Sequence, residues 1–184
     1  MANMLILREM NELMEKDIAT YEHSLRVQAL AKAMAPQLQL SYEQQAIFVS
    51  GCFLHDIGKS LVPIEILNKS SALNPQEWEI MKHHSSLGAL ILRDYPQIDP
   101  DIISVVELHH ERWNGKGYPH GLKGEAIPIF ARVCAIIDSF DCMISDRPYR
   151  KGCTVKEAKC ELLKHAGSQF DPFYVNLFIQ TFGL

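Results

Sequence analysis

The chain has 184 residues, with 18 Lys and Arg against 22 Asp and Glu and a net charge of -4. That balance lacks the basic excess a polymeric nucleic acid would call for. The longest apolar stretch, residues 127–137, is broken by Pro128 and Arg132 and falls short of the ~18 residues of a membrane span.

One domain over residues 1–184 is the expected count for a chain of this length. The N-terminus shows no signal-peptide pattern, and Cys52, Cys134, Cys142, Cys153 and Cys160 form no CxxC pair, so free thiols and a cytoplasmic setting are expected. Apolar spacing is helical nearly throughout, with no convincing period-two strand. In chain order the pattern predicts helices over residues 4–16, 21–37, 42–55, 75–94, 100–109, 129–145, 155–164 and 172–182. Ser41 with Gln44 and Thr154 with Glu157 have capping-box spacing. Asn74-Pro75, Asp99-Pro100 and Asp171-Pro172 each put an Asx side chain at an N-cap and proline at the next position, where its missing N–H costs nothing. The irregular stretches are 58–71 and 111–125, the second glycine-rich and bearing Trp113, Tyr118 and Pro119. The expected fold class is all-α, with about seven to eight helices and a Gly-rich loop.

Eight histidines are placed along these elements, six of them (His23, His55, His83, His84, His109, His110) at or near helix surfaces or ends. Taken singly, a buried histidine is most often a satisfied core residue. The set reads differently. His55-Asp56 interrupts the apolar run from Cys52 to Gly58, where a buried carboxylate must be paired or bound to a cation, and imidazoles are natural co-ligands of a transition metal. Asp138 and Asp141 lie three apart on one face of an apolar helix, and a structural ion pair or cap is the alternative for both. His109-His110 end a helix just before the Gly-rich loop, so both rings can turn into one pocket; the alternative is a solvated helix C-terminus.

His23, His55-Asp56 and Asp138 are similar to the H…HD…D pattern of HD-domain metal-dependent phosphohydrolases. His55-Asp56-Ile57-Gly58-Lys59, the run from His109 to Pro119, and Arg147-Pro148-Tyr149-Arg150 resemble the HD-GYP subgroup, which degrades cyclic dinucleotides; the resemblance covers about residues 20–171. It implies an HD-domain helical bundle with a GYP loop. It also implies a first metal position of His23, His55, Asp56 and Asp138, and a second of Asp56, shared as a bridge, with His84, His109 and His110. Register with Leu87-Gly88 selects His84 over His83, which is expected at the surface; His120 and His165 match no ligand position.

Two cations about 3.5–4 Å apart can bind phosphate oxygens while a water between them is deprotonated near neutral pH. Imidazole-rich ligation suits iron or manganese, cobalt or nickel better than magnesium or calcium, and the cofactors expected are two divalent ions per chain, iron or manganese first. Lys59 is placed like the family's lysine near the scissile phosphate, or else is a cation at a helix C-terminus. Tyr118 would face a phosphate or base, and Arg147 and Arg150 would grip the diester phosphates. The alternatives are a tyrosine that packs the loop, as is expected of Trp113, and a solvated basic turn.

Two departures stand out. Ala19 occupies the place where some relatives have a glutamate that helps hold a third metal, leaving Asp141 as the remaining carboxylate for an additional metal site, with few companions. Asn114 replaces the usual aspartate of the loop and keeps a turn-forming side chain. The function expected is hydrolysis of cyclic di-GMP to linear pGpG, with or without further cleavage to GMP, in concert with a regulatory or GGDEF-type signalling partner. The competing readings are another HD-type nucleotide phosphohydrolase, and a non-catalytic cyclic-dinucleotide receptor or protein-interaction module.

Overall fold

The computed structural model describes the backbone of residues 2–146 and 151–184, and side chains from residue 8 onward within those ranges. Its α-helices are α1 (Ala2–Lys16), α2 (Ile18–Met34), α3 (Tyr42–Leu54), α4 (Ile64–Leu67), α5 (Pro75–Lys82), α6 (His84–Arg93), α7 (Pro100–Leu108), α8 (Ile129–Ile144), α9 (Val155–Lys164) and α10 (Pro172–Phe182). Among the described residues there is no β-strand, only isolated bridges pairing Asn114 with Lys123 and Ala166 with Phe170. The fold is all-α.

Helix starts follow the capping chemistry. Asn74, Asp99 and Asp171 each accept a hydrogen bond from a first-turn N–H, with proline next in the chain. Ser41–Gln44 and Thr154–Glu157 close reciprocal boxes, and Asn74–Glu77 closes a third that the sequence reading did not use. The pattern puts the start of α2 near Tyr21. It lies at Ile18 because Asp17 caps it, accepting from the Ala19 N–H at 3.1 Å and the Thr20 hydroxyl at 2.5 Å.

The helix expected over 75–94 is two helices. His83 sits between them with φ -68 and ψ -13, and its N–H reaches back three residues to the Ile80 carbonyl at 3.1 Å. No glycine or proline marks this break, and local side chains bond its carbonyls, His83 Nδ1 to Glu79 and His84 Nδ1 to Met81. The 3₁₀ turn Ile57–Leu61 presses its backbone onto the start of α6, so a Cβ on Gly58 would lie 1.9 Å from the His84 carbonyl oxygen and 2.4 Å from the Gly88 nitrogen. Only glycine permits that approach. Lys16, at the end of α1, braces the same turn by donating to the carbonyls of Ser60 at 2.6 Å and of Val62.

Two apolar clusters flank the helices that carry the candidate ligands. One joins Val27 of α2, Phe48 and Cys52 of α3, Val105 of α7, Ile136 of α8 and Phe178 of α10; the other joins Met10 and Leu13 of α1, Leu54 of α3, Leu92 of α6 and Val106 of α7. Thus α3 and α7 contribute to both clusters near their C-terminal ends. Truncating a fully buried side chain such as Phe48 to alanine costs about 3–5 kcal/mol, and packing of this strength keeps those ends from fraying. Among the described residues, no helix is long and apolar enough to cross a membrane.

Candidate metal centre

The helix ends deliver the site. His55 caps α3 and Asp56 follows it, His84 opens α6, His109 caps α7 with His110 next, and His23 and Asp138 project from within α2 and α8. All but half-buried His110 are buried. The far ring nitrogens are tied down: His55 Nδ1 faces the Cys52 carbonyl at 2.8 Å, His84 Nδ1 the Met81 carbonyl at 2.8 Å, and His109 Nδ1 the Val106 carbonyl at 2.9 Å. A carbonyl only accepts, so each Nδ1 carries the proton and donates it, and in the neutral ring Nε2 is a bare lone pair.

The Nε2 atoms converge. His84 Nε2 lies 3.4 Å from His109 Nε2 and 3.1 Å from His110 Nε2, and His23 Nε2 lies 3.2 Å from His55 Nε2. Burial, and then neighbouring imidazoles, pushes His109 down to about 3 and holds His110 well below its usual range. Burial likewise pushes His84 down to about 4, although Asp56 pulls the other way. His84 and His109 are therefore neutral at pH 7, and two buried acceptors 3.4 Å apart have no proton to share. A cation between them resolves this, so the donor set fits a metal.

Asp56 divides the site. Its Oδ1 is 3.3 Å from His84 Nε2, whereas Oδ2 is 3.4 Å from His55 Nε2 and 3.9 Å from His23 Nε2. Candidate ligand groups gather on either side of it: His84, His109 and His110 on one, and His23, His55 and Asp56 on the other. Asp138 Oδ1 closes the second group at 3.0 Å from His23 Nε2 and 3.8 Å from His55 Nε2. Burial pushes both carboxyls up, but Lys59 with His55 at Asp56, and His23 at Asp138, outweigh it and hold both well below the carboxylate range. They are anionic at every physiological pH.

His23 is set differently from the other rings. Its Nδ1 meets Asp141 Oδ2 at 2.7 Å. Burial opposes a charge on this ring, but Asp138 and Asp141 outweigh it and push its pKa up to about 9. Asp141 is itself held by Arg26, whose Nε donates to Oδ1 at 2.9 Å and whose Nη2 donates to Oδ2 at 3.0 Å. Asp141 thus stands behind His23, with both oxygens engaged, and orients the ring. Arg26, one turn beyond His23, was missed by the sequence reading; its spacing from His23 was the available signal.

Lys59 Nζ donates to Asp56 Oδ2 at 2.6 Å, so the lysine reaches the centre. Tyr118 does too: its ring lies 4.8 Å from the His110 ring at 31°, and its N–H donates to the His110 carbonyl at 3.3 Å. The loop folds back this tightly because a Cβ on Gly117 would sit 2.3 Å from the Arg112 nitrogen and 2.5 Å from Glu111 Cα. Buried Glu111, also missed, staples the loop by accepting from the His120 N–H at 2.7 Å and the Leu122 N–H at 2.9 Å. Asn114 Oδ1 accepts from the Lys116 N–H at 3.0 Å, the turn expected of it. Trp113 packs under the Arg132 guanidinium at 5.7 Å, away from the ligands. His83 is exposed, and His120 and His165 pair with Glu107 and Glu161 outside the site. Arg147 and Arg150 lie outside the described residues.

A family model described as HD domain matches residues 8–173, most of the chain. The chain belongs to the HD-domain family. A cyclic di-GMP phosphodiesterase of Thermotoga maritima is 38% identical over 177 residues, covering 95% of this HD-domain chain and 48% of the relative. A cyclic di-GMP phosphodiesterase of Pseudomonas aeruginosa is 38% identical over 185 residues, covering 97% and 44%. The chain thus spans under half the length of these two curated relatives. The solved structure of an HDG"Y"P protein from Bdellovibrio bacteriovorus superimposes with a TM-score of 0.72 at 23% identity, covering 92% of this chain and 53% of that one, and shares the fold.

Proposed function

We propose that this HD domain is a metal-dependent phosphodiesterase that hydrolyses cyclic di-GMP. The observation that carries the reading is the division at Asp56, one oxygen 3.3 Å from His84 and the other 3.4 Å from His55, with imidazole nitrogens gathered on both sides. His23, His55, Asp56 and Asp138 would hold one cation, and Asp56, His84, His109 and His110 a second, iron or manganese by the softness of the donors. Two such cations would supply Lewis-acid charge for a phosphodiester and for its attacking water. The names of the two curated relatives supply the substrate.

The chain's own groups do the rest. The Nδ1 bonds to backbone carbonyls, and Asp141 behind His23, aim every tied ring before any ligand arrives. Lys59, 2.6 Å from Asp56 Oδ2, stands where a positive charge can stabilise the departing oxygen. Tyr118 offers an aromatic face beside His110 for a base. Arg147 and Arg150, by their place in the sequence after α8, take the diester phosphates. Protein purified without oxidation should contain two metals per chain by elemental analysis and convert cyclic di-GMP to linear pGpG on a chromatogram, with loss of both on chelation. Turnover that survives complete metal removal would refute the reading.

A further inference from the structure

Beside the group of His23, His55, Asp56 and Asp138 lies a side chain that the proposed reaction does not use. Asp138 and Cys142 are four residues apart on α8 and share a face, and the Cys142 Sγ donates to Asp138 Oδ1 at 3.2 Å. That same oxygen is 3.0 Å from His23 Nε2. One ligand atom each from His23, Asp138 and Cys142 lies within 4.8 Å of the other two. Bond lengths of about 2.3 Å to sulfur and about 2.0–2.1 Å to nitrogen or oxygen let three such atoms converge on one ion with small side-chain adjustments.

We infer that Cys142 is a sulfur ligand at the first metal position, so that this site takes a thiophilic cation through mixed nitrogen, oxygen and sulfur donors. The inference rests on the metal-centre reading and deepens it. A site of imidazoles and carboxylates accepts any borderline divalent ion, and a thiolate added to it shifts preference toward zinc, cadmium, cobalt(II) or iron(II) and away from manganese. Coordination exchanges the S–H bond for a sulfur–metal bond, and the proton leaves to solvent. No oxidant enters. Because Cys142 is half-buried at the rim of the group, its sulfur would occupy a position left open by His23, His55, Asp56 and Asp138.

Cobalt(II) added to the metal-stripped full chain tests this directly. The wild type should develop a near-ultraviolet thiolate-to-cobalt charge-transfer band that Cys142→Ala lacks while still binding cobalt. Cadmium should bind Cys142→Ala at least ~10-fold more weakly and manganese within ~2-fold of wild type, since only the thiophilic ion gains from sulfur. Should the alanine variant fail to fold by thermal melt, Cys142→Ser carries the same comparison. Equal cobalt binding with identical spectra would overturn the inference and leave the thiol as a hydrogen-bond donor to Asp138. Failure of cobalt to bind either protein would remove the metal-centre reading, and this inference with it.

Discussion

Glu111 is the side chain on which the Gly-rich loop depends, and its replacement tests how the loop is held. The carboxylate is buried and accepts two backbone N–H bonds, from His120 at 2.7 Å and Leu122 at 2.9 Å. A hydrogen bond to a charged group contributes about 1.5–3 kcal/mol, so losing both in Glu111→Ala should cost about 3–6 kcal/mol, much of a domain's ~5–15 kcal/mol. Glu111→Gln keeps one carbonyl acceptor and turns an NH2 toward the second donor, so it should lose about half as much, ~1.5–3 kcal/mol. Urea unfolding gives both values from the shift in midpoint at constant slope. Glu111 is not a ligand, so the glutamine variant should retain its full metal complement while the environment of Tyr118 changes. A loss below ~0.5 kcal/mol in the alanine variant, the scale of an ordinary surface substitution, would mean that the two N–H groups find other acceptors and that Glu111 does not hold the loop.

Asp56→Asn leaves one oxygen where the two sides of the site need one each, so elemental analysis should show fewer than two metals and activity should vanish while far-ultraviolet dichroism stays helical; retention of both metals would contradict the bridge. Asp141→Ala removes the partner of His23 Nδ1, 2.7 Å away, and should weaken manganese binding by about 10–100-fold; unchanged affinity in calorimetry would show that the ring needs no such partner. The metal-free protein should be most thermostable near pH 6.5. His84 and His109, depressed to about 4 and about 3, contribute stability present above their ordinary value of 6.5 and lost as pH falls through the folded values. His23, raised to about 9, contributes stability present below 6.5 and lost as pH rises through 9. A melting temperature still climbing from pH 6.5 to 9 would contradict that assignment. Tyr118→Ala should weaken cyclic di-GMP binding by about 1–3 kcal/mol, the scale of base–aromatic stacking, with folding intact; loss of folding instead would make Tyr118 a packing residue.

What the sequence by itself determined is local. Apolar spacing placed most of the helices, though not α4 within the stretch read as irregular, and Ser41, Asn74, Asp99, Thr154 and Asp171 marked starts, because a cap acts within three residues and leaves its signature beside the helix it begins. The candidate ligand types were legible for a related reason: a His-Asp pair inside an apolar run needs a partner or a cation for its charge, and the spacing from His109 to Pro119 carried the family resemblance. What only the tertiary structure decided spans the chain. His23 meets Asp141 across 118 residues, and Arg26 meets the same carboxylate across 115, so no window of neighbouring residues holds the relation. The break at His83 carries no glycine or proline to announce it, and the approach of Gly58 to α6 exists only once the chain has folded. Glu111 looks like a loop-surface glutamate until the chain folds back and brings the His120 and Leu122 N–H groups to it. The proton position on each tied ring was likewise beyond the sequence, because it depends on which carbonyl, or which carboxylate, the far nitrogen meets once the helices have packed.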